Sequence, residues 1–205
     1  GADDADIMAI AHSQLEPYAA CVTRALGRGT PERGDAGIAP LSRVPRDASL
    51  PMSSAQRRLW FLWQLEPESA AYNVPMAVRL RGSLNVPALC ATLDALVARH
   101  EALRTTFSED DEGRGWQHVR PAVAVNLQPC SLCELPSGER ERELRRVVEG
   151  EACKHFDLRT GPLLRAALLE LGKDEHVLCI TLHHIVCDGW SAALLLEEFA
   201  QIYAT

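Results

Sequence analysis

The chain has 205 residues, of which 47% are hydrophobic and 24% are charged, and its formal net charge is −7. This length is sufficient for a buried core and predicts one domain with a short appendage. The acidic balance argues against nucleic acid or an anionic membrane surface as the main partner. No apolar run approaches the roughly 20 residues that span a bilayer, and the acidic N-terminus does not resemble a leader peptide. We therefore expect a soluble, cytoplasmic protein.

The seven cysteines predict neither a disulfide framework nor a metal centre. Their number is odd, and the chain is neither short nor rich in cysteine, as disulfide-stabilised secreted domains are. Cys130 and Cys133 have the spacing of a zinc knuckle, but no second Cys pair or closely spaced His pair lies nearby to complete four ligands. We expect free thiols that act as small apolar side chains, and no metal site.

Residues 1–37 are predicted to form an N-terminal helix and linker, and residues 38–205 the main domain. Apolar residues recur at helical spacing over residues 6–26, where Pro17 should kink or divide the helix. Residues 27–46 are rich in Gly, Pro and Arg and have little apolar periodicity, which is typical of a linker.

The first half of the main domain predicts a helix, a strand, a helix and three short strands. Ser53 and Gln56 have the spacing of a capping box, and Asn85 is expected to cap the second helix, with Pro87 in its first turn. The predicted ranges are Arg57–Leu65, Val74–Leu80, Val86–His100, Leu103–Phe107, Trp116–Arg120 and Val123–Leu127.

The second half predicts two helices on either side of a hairpin. Ser137 is expected to cap a charged helix that ends near Lys154, and Ser191 an apolar helix over Ala192–Tyr203. The strands Leu163–Leu171 and His176–His183 should be joined by a turn at residues 172–174. The resulting order, α–β–α–β–β–β–α–β–β–α, predicts a mixed α/β domain.

The segment that follows the last strand carries the candidate site. Val177–Leu182 is apolar on both alternating faces, which predicts a strand that is covered on both sides. Because strand side chains alternate, His183 and His184 should project to opposite sides, and only one of them can readily face a given cavity. Gly189 could adopt a positive φ, and the amides at the start of the next helix could stabilise an oxyanion. This arrangement suits acyl chemistry.

The residues alone leave two other interpretations of this segment open. A buried histidine is more often a satisfied core residue, and Asp before Gly is common in turns. A triad of Ser191, His184 and Asp188 is the second alternative. The helix-cap context of Ser191 and the lack of a Gly-x-Ser-x-Gly elbow argue against the triad.

At these residues the sequence resembles a known superfamily of acyltransferases. The stretch His183–Gly189 is similar to the HHxxxDG signature of the superfamily that includes chloramphenicol acetyltransferase and the condensation domains of nonribosomal peptide synthetases. Three further stretches resemble motifs of the condensation branch: Ser54–Trp60, Arg99–Phe107, and Phe156–Leu158 with Gly161–Arg165. The resemblance extends from about Ile38 to the end of the chain.

This resemblance implies a single chloramphenicol-acetyltransferase-like lobe, with a mixed β-sheet flanked by helices, that forms the N-terminal half of a condensation domain. The implied reaction joins a donor acyl or peptidyl thioester to the α-amine of an acceptor aminoacyl thioester. The resemblance implies no directly bound cofactor, because both substrates arrive on phosphopantetheine arms of peptidyl carrier proteins. The other implied partners are the C-terminal lobe and adjacent synthetase domains, with neither nucleic acid nor membrane. The isolated lobe is expected to be inactive.

The resemblance also implies roles for individual residues. His184 matches the catalytic position, as a base or as a group that orients the amine, and the amide of Gly189 would lie near the reacting thioester. Asp188 is expected to form a structural ion pair with Arg104. The supporting residues are completed by His183 and Ser191 around the loop and by Trp190, which would line the channel or pack in the core.

Two other functions remain open at this stage. The first is a small-molecule acyltransferase that uses acyl-coenzyme A. The second is a non-catalytic recruitment or docking module with the same fold, although such a module would need no intact HHxxxDG segment.

Overall fold

The computed structural model describes residues 8–9, 45, 50–127 and 129–205. The predicted linker and the domain boundary at residue 38 lie almost wholly outside these residues, and the boundary stays a prediction. Met8–Ala9 form a short strand, β1, where the sequence predicts a helix. The two residues pair with Val78 and Arg79, so they occupy one edge of a sheet.

The described part of the chain contains four α-helices and eight strands, with a 3₁₀ turn at Glu101–Arg104. The helices are α1 (Ser54–Leu65), α2 (Val86–Arg99), α3 (Ser137–Cys153) and α4 (Gly189–Tyr203). The remaining strands are β2 (Leu50–Pro51), β3 (Asn73–Arg81), β4 (Thr105–Glu109), β5 (Gly115–Val119), β6 (Pro129–Ser131), β7 (Leu164–Gly172) and β8 (Glu175–His183).

The larger sheet has the strand order β1-β3-β8-β7-β6. All of its pairings are antiparallel except that between β6 and β7. A smaller antiparallel sheet has the order β2-β5-β4. Because β8 lies between β3 and β7 along its whole length, its backbone groups pair on both sides and its end is fixed by two neighbouring strands.

The alternation of side chains along the strands separates two layers of core. On one face, Leu178, Ile180 and Leu182 pack with residues of α2 and α4. On the other face, Val177 and Cys179 pack with a smaller cluster that includes residues of α3. Every residue of β8 from His176 to His183 is buried, which confirms the prediction of a strand covered on both sides.

The predicted fold class, a mixed β-sheet flanked by helices, is confirmed, and so is the order of elements from α1 to α4. The capping box at Ser53 and Gln56 forms, and the side chain of Asn85 accepts the amide of Ala88. The strand predicted over Val123–Leu127 is wrong. The backbone amide of Val125 donates to the Asp94 carboxylate, and the third short strand instead forms at Pro129–Ser131.

The predicted cap at Ser137 is also wrong. Pro136 occupies the N-cap position of α3, and Ser137 is the first helical residue, with no capping bond from its side chain. The residues that the structure describes include no helix long and apolar enough to cross a membrane. Among the same residues, no group of three His, Cys, Asp or Glu side chains could hold a metal ion, and six cysteines are free thiols.

Truncation of the core should show which side chains carry the stability of the sheet. Leu168 is fully buried in β7, so we expect Leu168→Ala to lower the free energy of unfolding by about 2–5 kcal/mol. Leu65 at the end of α1 is 63% exposed, and Leu65→Ala should change that free energy by about 0.5 kcal/mol or less. Urea-induced unfolding measures both values. Equal losses in the two variants would contradict the assignment of the core.

Candidate active site

The candidate site begins where the buried strand β8 ends. His183, the last residue of β8, is 3% exposed and pairs in register with Asn73 of β3. On the other side, its backbone amide donates to the carbonyl of Leu163 over 3.2 Å. The backbone of His183 is therefore held from both neighbouring segments, and its ring must find a partner inside the protein.

The ring of His183 finds this partner in the turn that follows it. Nδ1 accepts the backbone amide of Ile185 over 3.1 Å, in a buried position. An atom that accepts from an N–H carries no proton itself, so the neutral ring has its proton on Nε2. Burial, with a smaller contribution from the charge of His184, lowers the pKa of His183 to about 4. The ring centroids of Tyr72 and Phe156 lie 6.5 and 6.0 Å, respectively, from the ring centroid of His183.

The turn at residues 184–186 is held in place by a backbone hydrogen bond and by a buried side chain. The backbone amide of His184 donates to the carbonyl of Tyr72 over 2.8 Å, while the His184 side chain is exposed. Ile185 packs into a buried cluster that includes Trp63 and Phe156. As a result, the imidazole of His184 projects outward from a turn whose backbone is fixed.

Cys187 holds the end of this turn by packing into a different apolar cluster from the one that contains Ile185. It packs with the apolar residues that line α2 and α4, and burial raises the pKa of its thiol to about 11. A thiol in this state is a small apolar side chain and not a nucleophile. His183 is buried and His184 is exposed, so among these two rings only that of His184 is open to solvent.

Asp188, and not Ser191, is the N-cap of α4. Its Oδ1 accepts the backbone amide of Ser191 over 2.8 Å and the Ser191 hydroxyl over 2.6 Å. These hydrogen bonds lower the pKa of Asp188, and the charge of His184 lowers it further. The triad of Ser191, His184 and Asp188 is contradicted, because the serine hydroxyl donates to the aspartate and not to the histidine.

The predicted ion pair between Asp188 and Arg104 is wrong. Nη1 of Arg104 donates to the carbonyl of Arg120 over 2.7 Å, and Nη2 lies 4.0 Å from Oε1 of Glu101. Arg104 ends the 3₁₀ turn that precedes β4, and there its guanidinium reaches the end of β5. Asp188 instead uses its carboxylate for the helix cap, a local partner that it can reach without crossing the fold.

Two further expectations about the loop need correction. Gly189 does not have a positive φ; it is the first residue of α4 and adopts the helical conformation. Trp190 is 68% exposed, so the expectation that it packs in the core is wrong. Whether it lines a channel stays a prediction.

The sequence analysis missed the residues that pack around the buried ring of His183. Nδ2 of Asn73 donates to the carbonyls of Ala152 and Lys154, at the end of α3. Arg165 donates to the same Lys154 carbonyl over 2.6 Å, and its guanidinium lies 3.7 Å from the ring centroid of Phe156. These contacts hold Phe156 against the ring of His183. A signal was available, because Phe156 and Arg165 belong to the third stretch of the condensation resemblance.

Comparison with known proteins identifies the class to which this arrangement belongs. Residues 47–205 match the protein-family model described as "Condensation domain". One of the subunits of linear gramicidin synthase from Brevibacillus parabrevis is 47% identical over 164 residues, which cover 80% of this chain and 2% of that protein. Chondramide synthase cmdD from Chondromyces crocatus is 43% identical over 171 residues, which cover 83% of this chain and 4% of that protein.

Solved structures agree with this match. The starter condensation domain of rhizomide synthetase RzmA aligns with a TM-score of 0.69 at 23% identity, covering 77% of this chain and 38% of that chain. The X-domain from teicoplanin biosynthesis aligns with a TM-score of 0.67 at 33% identity, covering 80% and 33% respectively. The chain therefore spans about a third of the length of these two solved chains. It belongs to the condensation domain family.

The buried state of His183 should make stability depend on pH. The ring binds a proton at a pKa of about 4 in the folded chain and near 6.5 when unfolded, so the unfolded state binds more protons between these values. We expect the free energy of unfolding to fall as the pH is lowered from about 6.5 to 4. His183→Asn keeps an acceptor for Ile185 but cannot titrate, and it should flatten this dependence in urea unfolding curves.

The matched control for this experiment replaces His155, which is exposed, by Asn. This variant should retain the pH dependence of the unmodified chain. If the chain with His183→Asn shows the same loss of stability at low pH as the unmodified chain, the neutral, accepting state of His183 is wrong.

The helix cap at Asp188 gives a second prediction. Asp188→Ala removes both bonds to Ser191 and should lower the free energy of unfolding by about 1 kcal/mol, whereas Asp188→Asn can still accept the Ser191 amide and should lose less. Thermal and urea unfolding measure the two losses. Unchanged stability in Asp188→Ala would contradict the cap.

Proposed function

We propose that the chain is the N-terminal lobe of a condensation domain that forms amide bonds in a nonribosomal peptide synthetase. The observation that carries the proposal is the position of His184. Its imidazole is exposed at the end of a buried strand, while the turn beneath it is held by Tyr72, by the ring of His183 and by the burial of Ile185. Rigid support under an accessible imidazole is what positioning of a reacting amine requires.

In the proposed reaction, the α-amine of an acceptor aminoacyl thioester attacks the carbonyl carbon of a donor thioester. The new C–N bond forms, the C–S bond breaks, the amine loses a proton and the departing carrier thiolate gains one. His184 would accept that proton or orient the amine.

The other residues of the segment act through His184 in this proposal. His183 keeps its turn in place by accepting the amide of Ile185, and Asp188 begins α4 at the residue before Gly189. The amide of Gly189 would lie near the thioester carbonyl, at the positive end of the helix, where developing negative charge is stabilised. Trp190 would contribute an exposed indole to the substrate channel.

The proposed partners follow from the same assignment. Donor and acceptor peptidyl carrier proteins would present their substrates on phosphopantetheine arms, so no cofactor resides in the lobe. The C-terminal lobe would complete the channel, and adjacent synthetase domains would supply the aminoacyl groups. The lobe alone should be inactive for this reason. A cytoplasmic location remains part of the proposal.

The experiment replaces His184 in the complete parent synthetase. We expect His184→Ala to lower dipeptidyl product formation at least ~100-fold, the lower range of general acid–base contributions, with both carrier proteins still loaded. Product is quantified by mass spectrometry, and thermal unfolding checks that the variant folds. His155→Ala, which replaces another exposed histidine, is the control and should retain the activity.

Near-normal product formation by His184→Ala would remove His184 from the mechanism. Two further results would favour the other functions of this fold. Transfer from free acyl-coenzyme A without any carrier protein would favour a small-molecule acyltransferase. Binding of a carrier protein by the unmodified synthetase without any turnover would favour a recruitment module.

A further inference from the structure

A cavity of about 470 Å³ lies beside the first residues of β7 and apart from His184. It is bounded by Leu164–Ala166, the segment over residues 120–126, the 3₁₀ turn and the end of α3. β6 pairs only with Leu168–Glu170, so the described residues place no strand along the cavity side of Leu164–Ala166. Neither His183 nor His184 lines this space.

Five charged side chains line the cavity: Arg104, Arg120, Glu151, Lys154 and Arg165. Lys154 and Glu151 form an ion pair with each other. The guanidinium of Arg165 donates to the backbone carbonyls of Glu151, Lys154 and His155 and covers the ring of Phe156. Nε of Arg165 is buried and has no hydrogen-bond partner among the described residues. Arg104 and Arg120 are the other two charged residues of the lining.

Arg104 and Arg120 are neighbours across the ends of two strands. The backbone amide of Arg120 donates to the carbonyl of Arg104 over 2.9 Å, and Nη1 of Arg104 donates back to the carbonyl of Arg120. Nε of Arg104 is buried and has no hydrogen-bond partner within the described ranges. Its nearest ion-pair contact there is Glu101, at 4.0 Å from Nη2.

The side chain of Arg120 has few partners within the described chain. Its Nε donates to the hydroxyl of Thr106 over 2.9 Å, and no carboxylate of the described chain lies within ion-pair distance of its guanidinium. The cavity lining thus carries four basic side chains against one acidic side chain, that of Glu151. Apolar residues such as Val97, Leu103 and Leu163 complete the walls, while the side chain of Arg120 is at the exposed margin of the cavity.

We propose that this cavity binds a small oxyanion, a carboxylate or a phosphate monoester, between Arg104 and Arg120. Guanidinium groups present several N–H donors in a planar fork that matches the oxygens of both anions. The volume falls within the range of small-molecule sites, and the apolar walls would take the carbon skeleton of the ligand. The proposal does not depend on peptide synthesis, because neither His183 nor His184 lines the cavity.

The experiment measures binding of inorganic phosphate and of acetate to the complete parent protein. Thermal unfolding and titration calorimetry are run at constant ionic strength, with chloride as the reference anion. We expect one or both oxyanions to bind and to raise the melting temperature above its value in chloride. Arg120→Gln should weaken this binding at least about tenfold, because a hydrogen bond to a charged group is lost.

The matched control is Arg81→Gln, which also removes one positive charge. Arg81 is an exposed residue at the end of β3 and does not line the cavity. This variant should bind the oxyanions as the unmodified protein does, and so should His184→Ala. Phosphate binding alone would assign the site to phosphate esters, and acetate binding alone to carboxylates. Failure of both to exceed chloride, or equal binding by Arg120→Gln, would overturn the proposal.

Discussion

The hydrogen bond from the amide of Ile185 to the ring of His183 holds the candidate site together. It exists because β8 is buried on both faces up to its last residue, where water cannot satisfy an imidazole. The ring then accepts a hydrogen bond from the amide of Ile185 in the following turn. This hydrogen bond fixes the tautomer of the ring and the direction in which the chain leaves the sheet. His184, one residue later, is exposed as a consequence of that geometry.

The two adjacent histidines therefore lie in opposite environments. His183 is kept neutral by burial and serves as an acceptor, whereas the ring of His184 is exposed. If both rings were buried, the turn would carry two polar groups that compete for few partners. If both were exposed, no buried ring would fix the backbone beneath His184. Because side chains alternate at the end of a strand, two adjacent residues can provide one buried ring and one exposed ring.

The charged residues show how local partners compete with distant ones. Asp188 caps the helix that begins one residue later, and Arg104 bonds to a carbonyl on the neighbouring strand, so the ion pair expected between them does not form. A short aspartate side chain reaches the first turn of its own helix at little entropic cost. Arg104 lies instead at the wall of the cavity that it shares with Arg120.

Periodicity and local chemistry in the sequence determined the mixed α/β class, the order of elements, the capping box at Ser53 and the burial of β8. These features depend on which residues repeat every two or every three to four positions. Tertiary structure alone decided that Phe156 supports the ring of His183. It also decided that residues 123–127 form no strand, because the amide of Val125 bonds to Asp94. Those outcomes depend on which groups meet across the fold, and contacts between residues far apart in the chain leave no period in the sequence.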